Sequence, residues 1–265
     1  LAFPSYARYL SKTEQILASL DMQAAAEHSA LLPCGLQARF NAFAAALDQA
    51  LDGGDCMDAE SALQQMEMHC LSGLDRYSET VARANMAMRL LRWLKRTPAA
   101  EGTAVSLITD YIDQGGFCDW ARVEIWAGDA HDALNSVYQK LSGQVGRYRE
   151  RQNQAFGQQL ATIARGDHLP ARLIPVERAL DNLVAPLAEK GQVLLLVLDG
   201  MSEAVYRQLS EDLVRNNWLE LQPIETQGDA CLVAALPTVT QVSRSSLLSG
   251  VLCEGNANEE KKAFS

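Results

Sequence analysis

Positive charge is short in this chain. Its 23 Lys and Arg are outnumbered by 33 Asp and Glu, which leaves a net charge of -10. A surface of that sign offers no general attraction for nucleic acid or for an anionic membrane, so any contact with DNA must come from a local basic patch. Sulfur patterns for metal binding are missing too. The six cysteines, Cys34, Cys56, Cys70, Cys118, Cys231 and Cys253, fall without CxxC spacing. A chain of 265 residues needs no disulfide framework. The cysteines are therefore expected as reduced, mostly buried thiols of a cytoplasmic protein. No apolar run reaches membrane-spanning length, which argues against a membrane partner. The chain opens on Leu1 rather than Met and stops abruptly after Glu259-Glu260-Lys261-Lys262-Ala263-Phe264-Ser265. An excised piece of a longer protein is expected.

What the chain does have is enough apolar material, 48% of residues, for one large or two ordinary cores. From Pro4 to about Arg165 the apolar residues recur at helical spacing. Leu36, Phe40, Phe43, Ala44 and Leu47 share one face and the run stops at Gly53-Gly54. Further helices are predicted over Pro4 to Glu27, Asp58 to Leu71 and Asp75 to Arg96, the last with Met86, Leu90, Leu91 and Leu94 inward. Thr103 to Gln114 reads as a helix closed by Gly115-Gly116, followed by Phe117 to Ala127 and His131 to about Ala164. Gly143, Gly146 and Gly157 in that last helix imply close packing or a break. Trp93, Trp120, Trp126 and Trp218 read as core residues. The pattern is an all-α domain over residues 1–169.

Gly166-Asp167-His168-Leu169-Pro170 punctuates the chain where its pattern changes. Residues 170–265 form the second domain. A helix over Val176 to Ala188 leads into Val193-Leu194-Leu195-Leu196-Val197-Leu198, an unbroken aliphatic run of the kind found in a buried parallel strand. It delivers Asp199 to the strand tip, where chemistry collects in open α/β sheets. Ser202 is placed to cap a helix running to about Val214, with Asn216-Asn217 ending it. Further strands are predicted near Trp218 to Ile224 and Ala230 to Leu236. Strand, helix and strand in alternation predict a mostly parallel, doubly wound sheet, so the whole chain reads as α/β with an N-terminal helical domain.

Asp199 followed by Gly200 reads either as a turn that caps the next helix or as a metal ligand or catalytic acid. Leu236-Pro237-Thr238-Val239-Thr240-Gln241-Val242-Ser243-Arg244 then leaves a strand and enters a helix. The N-terminal turn of that helix would offer unpaired N–H groups to a phosphoryl oxygen. Thr240 is either a simple N-cap or, with a divalent metal lowering its pKa, a nucleophile. Arg244 reads as a surface ion pair or as a balance for phosphate charge. The four histidines, His28, His69, His131 and His168, lie in or next to the helical region. His69 and Cys70 are adjacent and so point to different helix faces, and no Cys or His partner has ligand spacing, so packed or surface histidines are expected.

Leu-Asp-Gly-Met-Ser after an aliphatic strand, then Leu-Pro-Thr-Val-Thr with Ser-Arg, and Leu247 to Gly250 beyond, resembles the PglZ family of the alkaline phosphatase superfamily. Within that family the sequence is most similar to the PglZ of type 2 BREX, or phage growth limitation, systems of bacterial antiviral defence. The resemblance extends to Val176-Glu177 and to Glu259-Glu260-Lys261, and its specific part covers roughly residues 170–265. It implies an alkaline-phosphatase-like domain of which this chain holds the first part.

The resemblance further implies that Asp199 binds metal and that Thr240 is both metal ligand and nucleophile, while Ser243 and Arg244, in the first turns of the same helix, are candidates for binding phosphate. Two divalent ions, commonly zinc, serve members of this superfamily. The remaining ligands there are Asp and His residues from later strands, so this fragment alone is expected to bind metal weakly and to have little activity. The implied activity is hydrolysis of a phosphomonoester or phosphodiester, including that of a nuclease, within an antiphage system. Partners would be other defence proteins and DNA. A non-catalytic scaffold that recruits such partners is the alternative, and a phosphomutase or sulfatase-like chemistry is a third.

Overall fold

The computed structural model describes residues 4–96, 102–163, 172–221 and 230–255. In the first part Pro33 pre-sets the opening turn of a helix, and the apolar stripe behind it does the rest. Among the described residues this region holds α1 (Pro4–Ser19), α2 (Gln23–Ala26) and α3 (Pro33–Leu51), in which Leu36, Phe40, Phe43, Ala44 and Leu47 are all buried. Gly53, at φ +110°, turns the chain out of α3 in a conformation that favours glycine. Asp55 then starts α4 (Cys56–Glu67) by accepting the Met57 N–H at 3.1 Å. Next come α5 (Asp75–Arg96), α6 (Ala104–Asp110), α7 (Gly116–Trp126) and α8 (Asp132–Ile163). Leu90 and Leu91 are fully buried, while Met86 and Leu94 pack partly buried against the same core. Each fully buried Leu or Phe contributes about 1.5–3 kcal/mol through removal of apolar surface from water.

The glycines behave differently from their sequence reading. Gly115-Gly116 does not close a helix. Beyond α6 the chain passes through a π-type turn, Tyr111–Gly115, straight into α7, with Gly116 in the right-handed helical region at φ -60° and ψ -41°. Glycine ends a helix by turning left-handed, and here it does not. Its use is room, because a Cβ on Gly116 would lie 2.1 Å from Glu203 Cγ. Nor is α8 broken. At Gly146 the space is taken by Arg122, whose Nη2 would stand 3.2 Å from an added Cβ.

The chain divides into two compact units, residues 1–101 with 117–155 and residues 102–116 with 156–265. The boundary segment Gly166 to Pro170 lies outside the described residues. In the second unit β1 (Leu173–Pro175) pairs in parallel with β2 (Cys231–Val233), with Leu173 opposite Cys231 and Pro175 opposite Val233. Parallel pairing needs a crossover, and the connection contains α10 (Glu203–Arg215). The helical region followed by a parallel two-stranded sheet makes the fold α/β. The predicted helix over Val176 to Ala188 is present in three pieces, a 3₁₀ turn Val176–Arg178, a π-type turn Leu180–Val184 and α9 (Ala185–Ala188). Pro186 in the first turn of α9 has no N–H to continue the ladder backward, which loosens the turn before it.

The largest departure is Val193 to Leu198. Among the described residues it joins no sheet, and Leu194 and Leu196 are 82% and 72% exposed. A central parallel strand is buried by neighbours on both edges and helices on both faces, whereas β1 and β2 pair with each other. Trp218 to Leu221 is likewise exposed and outside any strand, and Gln222 to Ile224 lie beyond the described residues. Trp126 is exposed as well, so only Trp120 and the half-buried Trp93 behave as core. Of the cysteines, all free, Cys118 is buried, Cys70 is exposed and the others are intermediate. Among the described residues no helix is long and apolar enough to cross a membrane.

Candidate active site

Two loops meet at the site, each held by an element that the sequence specifies locally. After Asp199 the chain turns at Gly200, whose φ of +69° favours glycine, and Ser202 opens α10 by accepting the Val205 N–H at 3.3 Å. Asp199 is thus fixed a few residues ahead of a capped helix. From β2 the chain runs to α11 (Thr240–Ser249), whose N-cap is Val239. Val242 and Leu247 of α11 are buried against Val176, Ala179 and Ala235, and this small cluster sets the helix in place. Gly250, at φ +72°, ends it. Beyond it Ser246 Oγ donates to the Cys253 carbonyl and accepts the Cys253 N–H, both at 3.1 Å, which ties the following loop to the helix.

These placements bring together residues 41 apart in sequence. Thr240 Oγ1 donates a hydrogen bond to Asp199 Oδ1 at 3.3 Å, with both side chains exposed. The simple N-cap reading of Thr240 is thereby excluded. Val239 occupies that position without a side-chain bond, and the threonine stands one residue inside with its hydroxyl turned to the carboxylate. The N–H groups of Val242 and Ser243 bond to the Val239 carbonyl. Ser243 and Arg244 follow Thr240 by three and four residues, which puts them on its face of the helix, and both are half-buried. A hydrogen bond joins Asp199 to Thr240, and helical spacing puts Ser243 and Arg244 on the same face.

Chemically the pair offers one carboxylate and one hydroxyl at the positive end of a ten-residue helix. Their separation suits two oxygens bonded to one cation at about 2.0–2.2 Å each. A structural zinc site takes four protein ligands and a catalytic one usually three. Among the described residues no group of three or more His, Cys, Asp or Glu could hold a metal ion. Asp199 and Thr240 therefore fit as part of a ligand set. The adjacent His69 and Cys70 do not form another. His69 is buried, its Nδ1 accepts the Leu71 N–H at 3.2 Å, and Cys70 is exposed. Burial first, and then the charge of Arg39, lowers the His69 pKa. His131 packs edge-on against Phe40, ring centroids 5.5 Å apart. His168 lies outside the described residues.

Several residues that shape this unit carry no sequence signal. Arg172, at the start of β1, pairs with Asp113 at 2.8 Å across 59 positions. Arg207 of α10 pairs with Glu203 at 3.1 Å and donates to the Ile112 carbonyl. Cys231 on β2 has its thiol pKa raised, by burial and then by Glu203, which keeps it protonated and unsuited to metal binding or nucleophilic attack.

Residues 179–265 match the sequence model of a family described as the BREX system PglZ alkaline phosphatase-like domain. The matched segment takes in Asp199, Thr240, Ser243 and Arg244. No curated protein matches the chain, and no solved structure does.

Proposed function

We propose that the protein is a metal-dependent phosphoesterase of a bacterial antiphage defence system, of the type 2 BREX kind, with Thr240 as nucleophile. The observation that carries this reading is the Thr240 hydroxyl held at a helix N-terminus 3.3 Å from the Asp199 carboxylate, inside the segment that matches the PglZ family. Asp199 takes up the hydroxyl hydrogen and so turns an oxygen lone pair of Thr240 outward, toward an incoming phosphorus. Attack forms the Thr240 Oγ1–P bond and breaks the bond to the leaving oxygen, which receives, by way of water, the proton taken up by Asp199. A second water then hydrolyses the phosphothreonine and restores the hydroxyl. The N-terminal turn of α11, with Ser243 and Arg244 one turn along, offers N–H donors and positive charge to the phosphoryl oxygens.

Divalent ions, two zincs on the family resemblance, would supply a lowered hydroxyl pKa and charge for the displaced oxygens, and Asp199 and Thr240 are the residues here that would hold one of them. The other ligands would come from outside the described residues. Other proteins of the defence system, and DNA as substrate, are its partners, and the cytoplasm is its compartment. The test is hydrolysis of an aryl phosphomonoester and an aryl phosphodiester by the full natural protein, stripped of metal and refilled with zinc, manganese or magnesium. Metal-dependent turnover is expected. Folded protein without turnover under every metal would leave the rival reading, a phosphatase-like scaffold. That rival is favoured by the exposed Trp126 and Val123 of the helical unit.

A further inference from the structure

On α7 the residues Asp119, Arg122, Val123 and Trp126 recur at the spacing of a single helical face. Such a stripe normally lies against the core. Here Ala121 and Ile125 do that on another side of the helix, and Val123 and Trp126 are 65% and 75% exposed. With Ser142 of α8 the four residues line a shallow depression of about 340 Å³. Gly143 and Gly146 follow Ser142 on α8 and carry no side chain. Guanidinium groups lie beside both glycines. Arg122 Nη2 would lie 3.2 Å from a Cβ on Gly146, and Arg147 Nη1 would lie 3.8 Å from one on Gly143.

The charges here do not balance. The Asp119 carboxylate is taken by Arg149, with Nε 3.3 Å from Oδ1 and Nη2 3.2 Å from Oδ2. Arg122 Nη1 reaches the same carboxylate only at 3.9 Å, too far for a hydrogen bond, and Arg122 Nε is buried without a hydrogen-bond partner among the described residues. Two other acids on these helices accept from neutral donors, Glu124 from Trp120 Nε1 at 3.2 Å and Glu150 from Gln154 at 3.3 Å. The Asp119 carboxylate is thus shared by the guanidiniums of Arg122 and Arg149, in a chain whose net charge is -10.

We propose that this face of α7 and α8 docks an acidic polypeptide segment, one apolar side chain of which covers Trp126 and Val123 while a carboxylate binds Arg122. Trp and Arg side by side have the composition of interface hot spots, and the depression is wide enough for a few side chains rather than a whole domain. The acidity of the whole chain works against a long polyanion, which turns the choice from nucleic acid to peptide. The inference rests on the helical unit alone and is independent of the phosphoesterase reading.

The test is a display selection of short randomised peptides on the intact chain. Enriched peptides are expected to combine Asp or Glu with Phe, Trp or Leu. A synthetic peptide from that pool should bind at least about tenfold more weakly to Trp126→Ala and to Arg122→Gln, each variant being checked for native circular dichroism. Arg122→Glu should turn the selection toward Lys and Arg. Val123→Ser, at an exposed position, should give a second loss of binding without touching the charges. No enrichment, or enrichment indifferent to these substitutions, overturns the proposal. So does oligothymidylate binding that disappears in Trp126→Ala, or self-association of the chain that disappears in the same variant.

Discussion

The two units solve the burial problem with different success. In the helical unit Leu36, Phe43, Leu47, Met88, Leu90 and Leu91 are buried to the last few percent, on stripes that a 3.6-residue spacing lays down within each helix. In the α/β unit a cluster of five buried residues holds α11, while Leu194, Leu196, Leu219 and Leu221 face solvent. The lesson lies in where hydrogen bonds come from. A helix closes its own ladder and needs a partner for one face only. A parallel strand needs neighbours that are remote in sequence before either its backbone or its side chains are satisfied. The site sits in the less buried unit and depends on three local devices: the turn at Gly200, the Ser202 cap and the seat of Val242 and Leu247.

The sharpest break of the comparison separates chemistry from stability. Thr240→Ala should lower phosphoester hydrolysis by about 10³-fold or more. Its unfolding free energy should stay within about 0.5 kcal/mol, because the side chain is exposed. Kinetics beside a denaturant titration reads both. Next in size, Phe40→Ala in the helical core should cost about 3–5 kcal/mol, against about 0.5 kcal/mol or less for the exposed Leu194→Ala. Equal losses in urea unfolding would erase the distinction between the units.

Gly116→Ala is a smaller probe. The added Cβ would lie 2.1 Å from Glu203 Cγ, so α10 side chains must move, at about 1–3 kcal/mol. The smallest effect is that of pH on His69. Burial lowers its folded pKa below the unfolded value, so the unfolded chain binds more protons as pH falls below about 6.5. The stabilisation from neutral His69 is full above that pH and is lost as pH falls through it toward the folded pKa. His69→Asn keeps an acceptor for the Leu71 N–H without a titrating ring. It should therefore show a smaller fall in melting temperature than the parent between neutral and mildly acidic pH.

How much of this could be read from the sequence depends on range. α5 runs over the same residues, Asp75–Arg96, that its apolar spacing predicts, and Ser202 caps the helix it precedes. Those signals are local. The approach of Asp199 to Thr240 was legible in the pairing of the two motifs, but not by way of the strand tip expected for Asp199, because Val193 to Leu198 joins no sheet among the described residues. The pairs Arg172–Asp113 and Arg207–Glu203 were not, since single charges name no partner. Gly115-Gly116 misled because glycine permits a left-handed stop without requiring one. Val193 to Leu198 misled because aliphatic composition states a preference for burial, not whether neighbours supply it.

One measurement bears most directly on the Asp199–Thr240 pair. The metal-loaded full natural protein is mixed with an aryl phosphomonoester, quenched in acid, digested and read by mass spectrometry. The account predicts one added phosphoryl group on Thr240, absent in Thr240→Ala and absent without metal. Turnover that leaves Thr240 unmodified while another residue carries the label, or no turnover by folded protein with any metal, would contradict it.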